Sequence, residues 1–482
     1  MEIPKEVQMV VQELEKNNFE AFVVGGCVRD LLRGEEPEDW DVATNAKPEE
    51  IQKVFPKNFY ENKFFTVTVQ TQSPDPKLKE IEITTYRSDV SYTDRRHPEE
   101  VRYAKTIQED LSRRDFTVNA LALKLSGEVI DPFEGQKDVK AKCIRAVGVA
   151  AERFKEDALR MMRAVRFFST LEFAIEKETR EAIQKNAVLL KEVSEERIRD
   201  ELIKIINSKR AMEGVEELRE TKLLTFIIPE LEEGYGVGQN KHHIYTVWEH
   251  NLLALKYAAE QKWNFDVRMA SLLHDVAKPR VKVGEGKDST FYNHEMVGGS
   301  MTAKILTRLK FPAKQVEKIS KLVRNHLFYY NVGEVTDSSV RRLVVKVGPE
   351  YVEELLQVRM ADRIGSGVPK AEPYKLRHLR YAIEKVSQDP ISAKMLKAGG
   401  SDVVKTLGIE PGPRVGWILG VLLGEVLENP KKNDKELLKE RIQKLGKLAD
   451  SALSELAKKA KKEREVVETK RDEMTKAKYW IT

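Results

Sequence analysis

Two aspartates, Asp39 and Asp41, flank Trp40 and run into Val42. On a strand, residues two apart share a face, and two carboxylates held side by side repel unless a divalent cation sits between them. Mg²⁺ takes one or two carboxylates together with substrate phosphates, so the pair suits phosphoryl or nucleotidyl transfer. An isolated Asp-x-Asp is ordinarily a solvated edge, but the residues upstream give this one company. Phe22-Val23-Val24 reads as a buried strand. Gly25-Gly26 reads as a turn, and Val28, Leu31 and Leu32 have helical spacing. A glycine pair between strand and helix lets backbone N–H groups approach a phosphate, and the helix N-terminus adds a favourable dipole. Arg29 offers a bidentate fork to a triphosphate. Glu82, in the alternating run 80–86, is a candidate third carboxylate if its strand neighbours the aspartates.

Two further groups could do chemistry. Arg113-Arg114-Asp115, running into Asn119 and Ala120, sets adjacent arginines beside a carboxylate, a site for a triphosphate and a ribose hydroxyl. In 154–167, Asp157, Arg160 and Arg163 step by three along one predicted helix face, and Arg166 lies one step further round. Leu159, Met162 and Val165 form the opposing apolar stripe. Taken alone, Glu156, Asp157 and Arg160 make surface ion pairs worth under ~1 kcal/mol. The last group is a histidine series: His250, His274-Asp275, His294, His326 and then Asp362, each in a helical context.

The elements that must position these groups divide the chain. Its 482 residues predict two to four domains, and 41% hydrophobic with 33% charged residues predicts a soluble globular chain with ample core. No apolar run of membrane-spanning length occurs. The N-terminus reads as an amphipathic charged helix rather than a signal peptide. Cys27 and Cys143 are far apart and lack metal spacing, which predicts free thiols in a reducing, cytoplasmic compartment. Strand and helix signals mix up to about residue 140, and the pattern is helical thereafter. Residues 87–111 are polar with no clear period and read as a long functional loop. The net charge is +5, and 16 Lys and Arg against 10 Asp and Glu fall between Lys431 and Thr482. That basic segment suits a nucleic-acid backbone.

GGCVRDLLRG followed by DWDVAT resembles the first motif of the class II tRNA nucleotidyltransferases, the CCA-adding enzymes and their poly(A) polymerase relatives. RRDFTVNA matches the second motif, and Asp131-Pro132-Phe133-Glu134-Gly135 resembles the third, which couples head and neck. Glu156, Asp157 and Arg160 match the family's EDxxR motif, and 194–202 resembles the last. The histidine series resembles the HD phosphohydrolase superfamily.

The resemblance implies an α+β fold: a small nucleotidyltransferase head with a mixed sheet (1–140), a nucleotide-selecting helical neck (141–208), a helical body with an HD metal site (209–385) and a helical tRNA-binding tail (386–482). It implies Mg²⁺ on Asp39 and Asp41, the triphosphate on Gly26 and Arg29, and Arg114 near ribose or phosphate. Asp157 and Arg160 would imitate a Watson–Crick edge to choose CTP or ATP, assisted by Arg163 and Arg166. His250, His274, Asp275 and Asp362 would hold one divalent metal, with His294 and His326 taking a second metal or a phosphate. Residues 87–111 become the family's flexible loop, whose full length argues against adding cytidines alone. The implied activity is addition of CCA to the 3′ end of tRNA, with a phosphohydrolase or phosphodiesterase side activity at the HD site. The alternatives are an enzyme adding only the terminal adenosine, a poly(A) polymerase, or an HD phosphohydrolase with a nucleotide-sensing head.

Overall fold

The computed structural model describes residues 2–61, 65–89, 101–240, 244–387, 393 and 396–481. The N-terminal part runs α1 (Lys5–Lys16), β1 (Ala21–Val24), α2 (Gly26–Arg33), β2 (Asp41–Thr44), α3 (Pro48–Val54), β3 (Asn58–Glu61), β4 (Thr66–Gln70), β5 (Glu80–Thr85), β6 (Arg87–Asp89), β7 (Val101–Tyr103), α4 (Ile107–Ser112), β8 (Ala122–Leu123), β9 (Val129–Ile130), α5 (Gly135–Ala141) and β10 (Cys143–Ile144). Helices then dominate: α6 (Ala150–Glu156), α7 (Leu159–Leu171), the short β11 (Ala174–Ile175), α8 (Lys177–Asn186), α9 (Glu195–Asn207), α10 (Ala211–Glu220), α11 (Leu224–Ile227) and α12 (Pro229–Glu232). There follow α13 (Val247–Glu260), α14 (Phe265–Leu273), α15 (Lys278–Val281), α16 (His294–Arg308), α17 (Ala313–Asn325), α18 (Asp337–Val347), α19 (Val352–Gly365), α20 (Tyr374–Ser387), α21 (Gly400–Leu407), α22 (Pro413–Glu428), α23 (Lys435–Gly446) and α24 (Asp450–Lys478).

A mixed sheet of order β3-β4-β5-β2-β1-β8-β9 forms the head. Its neighbours pair antiparallel except β2 with β5, which run parallel. Alternation along the strands explains its two faces. Val23, Val42, Val67, Val69, Ile81 and Ile83 are buried on one face, where α1 packs on β1, and α3 on β4 and β5. The other face carries Asp41 and Glu82 and is only partly covered, by the cluster that includes Phe22, Ala43, Tyr86 and Leu111.

The chain divides into two compact units, residues 1–327 with 354–371, and residues 328–353 with 372–482. In the second, an apolar core of α21, α22 and α23 includes Val403, Ile418, Leu422 and Ile442, and α24 packs along α22 and α20.

Two expectations change. The helix expected across 154–167 is two helices: α6 stops at Glu156, and Asp157 is extended (φ −145°, ψ 104°) before α7 begins at Leu159. Asp157 therefore shares no continuous helix face with Arg160 and Arg163. Both ends of 87–111 are regular rather than loop, as a β6–β7 hairpin and helix α4; residues 90–100 lie outside the described residues, as does Phe64 of the strand expected at 64–69. The basic C-terminal segment folds as two helices, α23 and α24.

Candidate functional site

The head's site begins with strand register. Asp41 stands opposite Val24 on β1 and beside Glu82 on the parallel β5, and Asp39 lies two residues before Asp41 at the strand entrance. Three carboxylates thus face one cleft of about 930 Å³. Burial pushes the Asp41 carboxyl up to about 6; Arg114 opposes this, while Asp39 and Glu82 add to it. A divalent cation would relieve that repulsion, and an all-oxygen set suits a hard ion, so the residues fit a metal there.

The glycine turn sits directly above. Gly25 has φ 84°, and a Cβ placed on it would lie 2.7 Å from Arg114 Nη1 and 3.7 Å from Asp41 Oδ2. Of the glycine pair, the strict requirement thus falls on Gly25 rather than on Gly26, the first residue of α2, where a Cβ meets nothing nearer than 3.5 Å. The first amides of α2 have no partner inside their own helix, and their end of the helix attracts anions.

Arg29, Asp39, Asp41 and Arg114 line this cleft together with Gly26. So do Asp157, Arg160, Arg163 and Arg166, so every nucleotide-site residue expected from the sequence is brought to one place. What holds them there was less legible. Asp115 is buried and accepts from Phe116 N (2.8 Å), Asn119 Nδ2 (3.1 Å) and Arg163 Nε (2.7 Å). Asn119 Oδ1 accepts in turn from Arg29 Nη1 at 2.7 Å. The relay Arg29–Asn119–Asp115–Arg163 ties α2 of the head to helix α7. Burial alone would raise the Asp115 carboxyl, but Arg163, Asn119 and Arg160 outweigh it and hold it at about 2. Burial and the like charge of Arg163 push Arg166 down to about 10; Arg166 pairs with Glu201 at 3.2 Å and lies 4.1 Å over the Phe167 ring.

The two base-selecting candidates are already engaged. Asp157 accepts from Arg197 at 3.1 and 2.7 Å and from Leu159 N at 3.1 Å. Arg160 donates to Glu156 (2.7 Å) and to the carbonyl of Arg113 (2.9 Å). Arg197, in the stretch that resembles the family's last motif, lines the same cleft; its spacing from Asp157 left no local signal.

A second centre lies among α13, α14, α16, α17 and α19. Thr246 and Glu249 form a reciprocal cap that starts α13 and sets His250 one turn in. His250 Nε2 and His274 Nε2 are 2.7 Å apart. Asp275 Oδ2 lies 3.1 Å from the first, and Asp362 Oδ1 lies 3.4 Å from it. His294 and His326 approach Asp275 Oδ1 at 3.4 and 3.7 Å. Nδ1 of His274, His294 and His326 lies 2.8, 2.7 and 2.7 Å from the carbonyls of Ser271, Phe291 and Val323. A carbonyl only accepts, so each Nδ1 carries a proton and each Nε2 faces the centre, where it can ligate a metal once any proton on it is lost. Burial works against a charged His274, but Asp275 and Asp362 prevail and raise it to about 10. Burial and the charge of His274 push His326 down to about 3. The donors form two overlapping sets, His250–His274–Asp275 and Asp275–His294–His326, all buried. Lys278, which the sequence reading passed over, reaches Asp275 Oδ2 at 2.6 Å.

A strand–glycine–helix turn over three carboxylates, facing an arginine-lined wall, defines a nucleotidyltransferase head, here followed by a buried histidine–aspartate cluster whose donors could hold a metal. Comparison with known proteins agrees. The "Poly A polymerase head domain" matches residues 21–145, the "Probable RNA and SrmB- binding site of polymerase A" residues 172–234, and the "HD domain" residues 247–365. A CCA-adding enzyme of Ligilactobacillus salivarius is 33% identical over 92% of this chain and 96% of its own. An A-adding tRNA nucleotidyltransferase of Deinococcus radiodurans is 36% identical over 66% of this chain and 76% of its own. The crystal structure of the Bacillus stearothermophilus CCA-adding enzyme in complex with CTP superposes with a TM-score of 0.59 at 29% identity, covering 92% of this chain and 98% of that one. The chain belongs to the CCA-adding enzyme family.

Proposed function

We propose that this protein is a template-independent tRNA nucleotidyltransferase that adds CCA to the 3′ end of tRNA from CTP and ATP, releasing pyrophosphate. The observation that carries this reading is the single cleft in which Asp39, Asp41 and Glu82 face Asp157 and Arg160. Asp39 and Asp41 would hold the metal, taken here as Mg²⁺, with Glu82 beside them. When bound, the ion supplies activation of the tRNA 3′ hydroxyl and charge neutralisation at the departing pyrophosphate. Arg29 and the amides that open α2 hold the triphosphate, and Arg114 lies toward ribose or phosphate. Asp157 accepts from an exocyclic amine and Arg160 donates to a ring nitrogen and a carbonyl oxygen, so the protein itself presents the pairing edge. With both already anchored, by Arg197 and by Glu156, that edge is preorganised. Arg163 and Arg166 assist with phosphate or base.

In this reading residues 1–140 form the head, 141–208 the selecting neck, 209–385 the body and 386–482 the tRNA-binding tail, all working in the cytoplasm. Two free cysteines, Cys27 buried, agree with a reducing compartment, and among the described residues no helix is long and apolar enough to cross a membrane. The test is incubation with tRNA ending at the discriminator base, at C and at CC, with labelled CTP or ATP. Incorporation of two C and one A is expected. Incorporation of A alone would make the protein an A-adding enzyme like its Deinococcus radiodurans relative.

The second centre supports a further activity, metal-dependent hydrolysis of phosphate esters. Two imidazole Nε2 atoms 2.7 Å apart suit a shared divalent transition metal, for which imidazole and carboxylate are the apt donors. Phosphate release is expected to survive Asp41→Asn and to be lost with His274→Ala; the reverse pattern would refute it.

A further inference from the structure

Across the open face of the head's sheet the register runs Asp41 on β2, Glu82 on β5, Thr68 on β4 and Phe59 on β3, each opposite the next. Directly paired residues share a face and neighbouring strands lie about 4.8 Å apart, so Phe59 stands in the acids' own row, about 14 Å along it from Asp41. It lies just beyond the cleft's lining, on the edge strand, and is 64% exposed. A lone exposed aromatic is ordinary. One held in register with a row of carboxylates is set there by the strand pairing. Between the acids and the ring the wall is made of hydroxyls: Thr66, Thr68 and Thr84 line the cleft, and Oγ1 of Thr66 lies 3.2 Å from Oγ1 of Thr84.

The two flanks of the acids are therefore unlike. On the β1 side stand the glycine turn, Arg29 and Arg114; on the β5–β4–β3 side stand threonines and then the phenyl ring. Displacement at phosphorus sets the attacking and leaving oxygens roughly in line. With the triphosphate and its departing pyrophosphate on the β1 side, the attacking hydroxyl comes from the β5–β4–β3 side.

We propose that Phe59 is the platform on which an unpaired base of the RNA 3′ end stacks, positioning the 3′ hydroxyl at the carboxylates from the side away from the pyrophosphate. The proposal rests on the nucleotidyltransferase reading above and adds to it a seat for the acceptor strand. Every base has a π-face, so stacking on a phenyl ring tolerates any base. That tolerance suits an acceptor whose last base changes as the end grows from the discriminator base through C to CC. Phe59 is thus a binding and positioning residue for the RNA, with no part in choosing the incoming nucleotide.

The test uses the full-length protein, wild type and the variants Phe59→Ala and Phe59→Tyr. Fluorescence anisotropy measures binding of tRNA ending at CC, and of the same tRNA with its last two nucleotides abasic. Addition of A to the CC end gives KM for each substrate. Phe59→Ala should weaken binding of the CC-ended tRNA roughly tenfold to a hundredfold and raise KM for tRNA by a similar factor. KM for ATP and the binding of the abasic-ended tRNA should stay at their wild-type values. Phe59→Tyr keeps the ring and should restore both losses. A melting temperature equal to wild type, expected for a side chain this exposed, certifies folding of each variant. Unchanged binding of the CC-ended tRNA in Phe59→Ala, equal weakening of both RNAs, or a loss in Phe59→Tyr as large as in Phe59→Ala would overturn the proposal. If the wild-type protein extends no tRNA, the nucleotidyltransferase reading fails, while the binding series still decides the stacking seat.

Discussion

At the scale of single residues, charge repulsion and burial set the chemistry. Asp41 sits near pH 6 because it is buried beside Asp39 and Glu82. A carboxyl raised in the folded state costs stability at neutral pH, since the unfolded chain ionises it more easily. Asp41→Asn is therefore expected to stabilise the metal-free protein by on the order of 1–2 kcal/mol at pH 7, seen as a higher Tm, while lowering 3′-end extension by roughly a thousandfold. Only the ionised form takes the cation, so the apparent metal affinity should fall as pH drops through 6. Glu82→Gln, by removing a like charge, should move that limb to lower pH. Asp115 behaves in the opposite way. Held at about 2, it contributes stability above the unfolded carboxyl range, lost as pH falls through about 2. Asp115→Asn leaves the half-buried Arg163 without its carboxylate, a loss of about 1–3 kcal/mol that chemical denaturation would measure.

At the scale of elements, backbone conformation decides what a side chain can reach. Gly25 combines a positive φ with a guanidinium 2.7 Å from where a Cβ would stand. Gly25→Ala should cost about 1–3 kcal/mol and displace Arg114, whereas Gly26→Ala, at a helical position with space around it, should fold with near wild-type stability. A melting series on the two variants separates them. The stretch around Asp157 was legible as residues but not as shape: the helical spacing of 154–167 is real on either side, yet the chain breaks after Glu156. A period cannot reveal that break, because Asp157 leaves the helix to meet Arg197, forty residues away.

At the scale of the molecule, the two sites share one compact unit without sharing residues. The nucleotide cleft and the histidine–aspartate cavity have no lining residue in common, so Asp41→Asn and His274→Ala should each silence one activity and spare the other. Metal-free His274, raised to about 10 by Asp275 and Asp362 against burial, is protonated at pH 7. Binding of a divalent ion there should release about one proton, and calorimetry in buffers of differing ionisation enthalpy would count it. Zero release would mean that the metal does not displace that proton.

Composition, strand alternation and the short motifs were enough to place Asp39, Asp41, Arg29, Arg114 and the histidine series, because each depends on chemistry or local spacing that the chain carries in its order. Strand signals up to about residue 140 and a helical remainder followed from periodicity, and the mixed sheet from the family resemblance. Strand register was not legible: that Glu82 stands beside Asp41 is a property of the β2–β5 pairing. Nor was the reach of the relay from Asn119 to Arg29 and from Asp115 to Arg163, or the clasp of Arg197 on Asp157. Those contacts depend on which elements pack together and which groups burial forces into partnership, and no local window of the chain contains that information.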